Sequence, residues 1–134
     1  MRSTLSSEVS PYLGADLTDR YAAGCRDIDV CGLTPASDNL LHASFWHWQW
    51  DRAPQVLDVD LIVHELRGAR VAMLDGPQAL AREGASLREC ERQSAAVGKT
   101  PDHRPSYTRP FAGFICSSLD LFDAFRTHEL PVSR

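Results

Sequence analysis

The sequence predicts a mixed α/β domain: an antiparallel three-strand meander, a crossover helix, a fourth strand parallel to the first, and flanking helices. Three observations predict it. Residues 28–33 and 40–50 alternate in the two-residue period of half-buried strands. Short connections join the first three apolar runs, as antiparallel neighbours allow. Residues 54–68 carry Val56, Val59, Val63 and Leu66 at helical spacing ahead of another apolar run, and a helix between two strands permits a right-handed parallel crossover.

The composition is that of a single globular domain. The 134 residues are 43% hydrophobic and 24% charged, and 14 basic against 18 acidic side chains leave a formal charge of −4. That balance supplies no whole-chain attraction to nucleic acid or to a membrane, although a local basic patch is compatible with it. Cys25, Cys31, Cys90 and Cys116 show no C-x-x-C spacing, which argues against a structural zinc site. The opening residues lack the apolar run of a signal peptide, and no stretch is long enough to span a membrane. The expectation is a cytoplasmic protein with reduced thiols.

Taken in order, residues 1–10 read as a polar, flexible lead-in, and 11–134 as one domain. "YLGADL" (12–17) is a short buried strand, "YAAGCRD" a loop or the edge of the next strand, and "IDVCGL" (28–33) the second strand. "TPASDN" (34–39) is turn chemistry. In "LLHASFWHWQW" (40–50), Trp46, Trp48 and Trp50 share one strand face, with Phe45, His47 and Gln49 on the other. That tryptophan stripe suits a face covered by helices; a stacking platform for bases is the alternative. The helix of 54–68 stops at Gly68, with His64 and Glu65 as surface or boundary residues.

"ARVAMLDGP" (69–77) is the fourth strand, broken by Gly76 and Pro77. "SLRECERQSAAVG" (86–98) opens on Ser86-x-x-Glu89, a capping-box pattern, and closes on Gly98. Cys90 is expected to pack on its inner face. A proline-rich loop (99–110) carries Lys99, Arg104 and Arg109, either as a weak phosphate-contacting patch or as solvated charge. The last helix lies within 111–130, with Leu121, Phe122 and Phe125 facing the core and Ser117 and Ser118 as helix caps. "QSAAVGKT" is not a phosphate-binding loop, because Gln93 stands where its first glycine is required.

Asp16 and Asp75 each follow an apolar strand and precede a turn or break. If strands one and four are parallel neighbours, both carboxylates lie at the carboxyl edge of the sheet, where open α/β sheets place ligands. Strands ~4.8 Å apart would let such a pair share one Mg²⁺ or Mn²⁺ ion, which can activate water for phosphodiester cleavage. The alternative for each alone is a turn or capping residue. Glu91 is the candidate third acid; it could equally be a helix charge paired with Arg88 or Arg92.

The ordered set "YLGADLTDRYA", "DVCGL", "FWHWQWD", "VAMLDGPQALA", "LRECE" and "GKTPD" with "PFAGFICSSLDLF" resembles the bacterial DUF429 family of predicted nucleases, over residues 12–125. The resemblance implies a ribonuclease H-like fold acting on nucleic acid. It places Asp16 at the first-strand acid, Asp75 at the fourth-strand acid, and Arg88 with Glu91 at an R-x-x-E helix motif, Arg88 in support. Lys99 and Thr100 match a G-K-T-P segment without an assigned role. Such folds carry a fifth, C-terminal strand that this chain is expected to lack, as a shortened member or a piece of one. The exposed sheet edge that results would suit a homodimer. A non-catalytic, homodimeric interaction module is the competing expectation, and an actin-like ATPase ranks last because no glycine-rich phosphate turn follows Asp16.

Overall fold

Four strands form one sheet in the order β3-β2-β1-β4. They are β1 (Tyr12–Asp16), β2 (Ile28–Pro35), β3 (Leu41–Trp48) and β4 (Val71–Leu74). β1 runs antiparallel to β2 and parallel to β4, and β2 runs antiparallel to β3. Three helices accompany them among the described residues: α1 (Val59–Gly68), α2 (Glu89–Ser94) and α3 (Ala112–Thr127). The structure, a computed structural model, describes residues 10–49, 59–96, 99–106 and 111–132. The lead-in through residue 9, Trp50, the predicted helical residues 54–58, Gly98 and Arg109 lie outside them.

The chain divides into two compact units, Met1–Leu17 with Asp27–Asp75, and Thr18–Arg26 with Gly76–Arg134. The first unit holds the whole sheet and α1. Leu13, Ala15, Ile28, Val30 and Trp48 are buried on one sheet face, following the two-residue period of their strands. α1 reaches that face through Glu65, which accepts the indole N–H groups of Trp46 at 2.8 Å and Trp48 at 2.7 Å. Trp46 and Trp48 are therefore on the covered face, as expected for the tryptophan stripe. On the same face Gly32 is required by close approach: a Cβ there would stand 2.7 Å from the Trp46 ring. β2 continues through Thr34 and Pro35, into the predicted turn. The chain reverses over Ala36–Leu40, where Asp38 and Asn39 take positive φ of 47° and 67°, a conformation that Asn and Asp tolerate better than most residues.

The second unit is organised on α3, where Leu121, Phe122 and Phe125 are buried as their helical spacing predicts. The Phe122 and Phe125 rings meet edge-on at 5.6 Å. Ser117 and Ser118 lie inside α3, buried, and are not caps. Ser117 donates back to the Gly113 carbonyl and accepts the Arg20 N–H, while Ser118 donates to the Pro77 carbonyl. Tyr21 and Arg104 both bind Asp120, at 2.6 Å and 2.8 Å. These bonds hold the Asp120 carboxyl below its ordinary range against the opposing effect of burial.

α2 also departs from expectation. It starts after Arg88, not at a Ser86 cap, and ends at Ala95 (φ 53°). The capping side chain is Glu91, which reaches back to the Arg88 N–H at 2.9 Å. Cys90 is exposed and Glu91 is the buried residue, the reverse of the packing expected for Cys90. Among the described residues there is no fifth strand, and no helix is long and apolar enough to cross a membrane.

Candidate functional site

The outer face of the sheet follows from the strand registers. Tyr12, Gly14 and Asp16 of β1 alternate away from the buried Leu13 and Ala15. Their cross-strand partners are Leu33, Cys31 and Asp29 on β2, which in turn face Ala43, Phe45 and His47 on β3. On the other side Tyr12 pairs with Val71 and Gly14 with Met73. This face is apolar over most of its length and changes character at the carboxyl end of β1 and β4. There Asp16, Asp29 and His47 form one row across β1, β2 and β3, and Asp75, the residue after β4, extends it beside Asp16.

Asp16 ends β1, and Asp75 immediately follows β4. The Asp75 N–H continues the ladder to the Ala15 carbonyl at 3.3 Å, and its Oδ1 accepts the Leu17 N–H at 2.6 Å. That second bond fixes the carboxyl group against the backbone of the neighbouring strand. The Asp16 carboxyl group stands beside that of Asp75 and interacts with it. Partial burial, then the neighbouring Asp16 carboxyl group, raise the Asp75 pKa; the Leu17 N–H opposes them. Like charges this close cannot both ionise without cost.

Asp29 and His47 form the other half of the row, with Nε2 3.0 Å from Oδ1. The row borders an open concavity of about 690 Å³, lined among others by Asp16, Asp29, Phe45, His47, Met73 and Asp75. A volume of this order accommodates a small ligand or one unit of a polymer. Among the described residues no group of three or more His, Cys, Asp or Glu side chains is placed to hold a metal ion. Any cation here would rest on two carboxylates, with water and substrate oxygen completing its shell. Mg²⁺ is commonly bound in this way.

Glu91 belongs to the second unit, and both of its oxygens are engaged. Oε2 accepts the N–H groups of Arg88 and Thr100, each at 2.9 Å, and Oε1 accepts Arg88 Nε at 3.0 Å and Thr100 Oγ1 at 2.6 Å. Burial works to raise its pKa, and these bonds outweigh it, so the carboxyl lies below its ordinary value. Lys99 is exposed, and Arg104 is committed to Asp120 by both terminal nitrogens.

Asp29, His47 and Phe45 were not singled out from sequence as site residues. The signal was present: alternation along 28–33 puts Asp29 on the face of Cys31, and the tryptophan period assigns Phe45 and His47 to the opposite face from Trp46. Only the register, which sequence does not fix, sets Asp29 opposite Asp16. Comparison with protein families, with curated proteins and with solved structures finds no match to this chain.

Proposed function

We propose that this chain is a divalent-cation-dependent phosphodiesterase acting on nucleic acid, with a ribonuclease H-like sheet of the DUF429 type. The observation that carries the reading is the Asp16–Asp75 pair, two carboxyl groups brought together where two parallel neighbouring strands end at an open concavity. The sheet order β3-β2-β1-β4, with an antiparallel meander and a parallel fourth strand, supports the fold assignment.

The donor set fits Mg²⁺ or Mn²⁺: both ligands are carboxylates, and two acids side by side mark a place where a cation relieves repulsion. Asp16 and Asp75 would hold the ion, which when bound lowers the pKa of water and stabilises charge on phosphoryl oxygen. The Leu17 N–H keeps Asp75 in one orientation throughout. His47, held by Asp29, can carry a proton at Nε2 on the same row. Glu91 is assigned a positioning role in its own unit, fixing Arg88 and Thr100. Lys99 and Arg109 remain proposed phosphate contacts, while Arg104 would first have to leave Asp120.

Cleavage of labelled oligonucleotides with and without Mn²⁺ tests the reading. Activity should require the ion and vanish in Asp16→Asn with the fold intact; an equally active Asp16→Asn protein refutes it. One observation favours a second reading, a non-catalytic homodimeric module: β4 is a sheet edge with Val71 and Met73 exposed. That reading predicts dimers in solution and no Mn²⁺ affinity.

A further inference from the structure

Phe45 is 78% exposed, although it sits at the middle of a paired strand, directly opposite Cys31. Its ring faces away from the tryptophans and toward the concavity that Asp16 and Asp75 border. Across the row below it run Cys31, Gly14 and Met73, the last 73% exposed. Gly14 leaves a gap in that row, since a Cβ at this position would meet no atom within 4 Å. The result is a slot with an aromatic wall, a thioether on the far side, and carboxylates one step along the strands.

We propose that the substrate is single-stranded and that an unpaired base lies over Gly14, stacked on Phe45, while its phosphate is held at the Asp16–Asp75 pair. The inference rests on the phosphodiesterase reading above. β3 lies two strand spacings from β1, about 10 Å, the reach of one nucleotide from its phosphate across its base. Charge points the same way. The described residues lining the concavity include no Lys or Arg, so they offer nothing to track the paired backbones of a duplex, whose binding depends on cationic contacts to many phosphates. Stacking on an aromatic ring tolerates any base and requires that the base be out of a duplex. Of the carboxylates on the row, Asp29 already has His47 as its partner, and the divalent ion would neutralise the other two.

The test compares Mn²⁺-dependent cleavage of a fluorescein-labelled single strand with that of the same strand in a duplex. The single strand should be cut and the duplex spared. Phe45→Ala should raise KM for the single strand roughly tenfold to a hundredfold, the range for losing one base–aromatic stack, with kcat changed less than about twofold. Phe45→Tyr should restore KM. Gly14→Val, whose Cβ would meet no atom within 4 Å, should raise KM as Phe45→Ala does. Equal cleavage of both forms, or an unchanged KM in Phe45→Ala, overturns the inference; if Asp16→Asn still abolishes that cleavage, the phosphodiesterase reading stands. Absence of Mn²⁺-dependent cleavage of either form overturns both.

Discussion

Replacing Glu91 with glutamine removes one charge from a carboxylate that accepts four hydrogen bonds, two from backbone N–H groups and two from side chains. The amide oxygen of glutamine can keep the two backbone donors. Its NH₂ group then faces Arg88 Nε, donor against donor, and the Thr100 hydroxyl, which can rotate to accept. The net loss is one charge-assisted hydrogen bond and the ion pair with Arg88. Bonds to a charged group are worth about 1.5–3 kcal/mol, and the Glu91 side chain is only 7% exposed, so water does little to compensate. The expected loss is about 2–3 kcal/mol, or about 5–10 °C in Tm for a chain of this size. The pH dependence has a fixed sign. Because the folded pKa lies below the ordinary value of 4.5, the advantage of wild type over Glu91→Gln is fully present above that pH. It is lost as pH falls through the folded pKa. Urea unfolding followed by far-UV circular dichroism at pH 7 and in acid measures both. A gap below about 0.5 kcal/mol at pH 7, or one that persists unchanged in acid, refutes the reasoning.

The Asp16–Asp75 pair predicts the opposite behaviour. A carboxyl with a raised folded pKa lowers stability as pH rises through that pKa. Asp75→Asn, which keeps an acceptor for the Leu17 N–H, should therefore leave metal-free stability at pH 7 unchanged or higher by less than about 1 kcal/mol, solvent screening limiting the gain. Differential scanning calorimetry without divalent ions checks this; a large loss contradicts it. At Glu65, both indole N–H groups go to the single oxygen Oε2. Glu65→Gln should thus cost little, whereas Glu65→Leu strands a donor on fully buried Trp48 and should cost about 1–3 kcal/mol, read by chemical unfolding and tryptophan emission. Gly113→Ala should destabilise although alanine favours helices by about 1 kcal/mol, because its Cβ would meet the Asp19 carboxylate.

The sheet was legible because strand alternation is a local signal. Leu13 and Ala15 against Tyr12 and Asp16, and Trp48 against His47, separate the faces before any tertiary contact is known. The crossover helix likewise announced that β4 returns beside β1, and with it that Asp75 arrives near Asp16. What was not legible depends on distant partners. Ser86-x-x-Glu89 has the form of a capping box, but Thr100 holds Glu91, and the helix begins where Glu91 can reach the Arg88 N–H. Ser117 and Ser118 resemble caps from composition, yet bonds from Arg20 and to Pro77 make them buried helix residues. Exposed Phe45 read as an ordinary strand residue, because no local pattern shows that its ring is left exposed.

The most direct measurement is a Mn²⁺ titration of the intact chain by calorimetry, repeated with Asp16→Asn and Asp75→Asn. The account predicts saturable binding that strengthens as pH rises and Asp75 ionises. Binding should be lost in either variant while the fold remains. No binding to the wild-type chain, or binding undiminished when either aspartate is replaced, would contradict it.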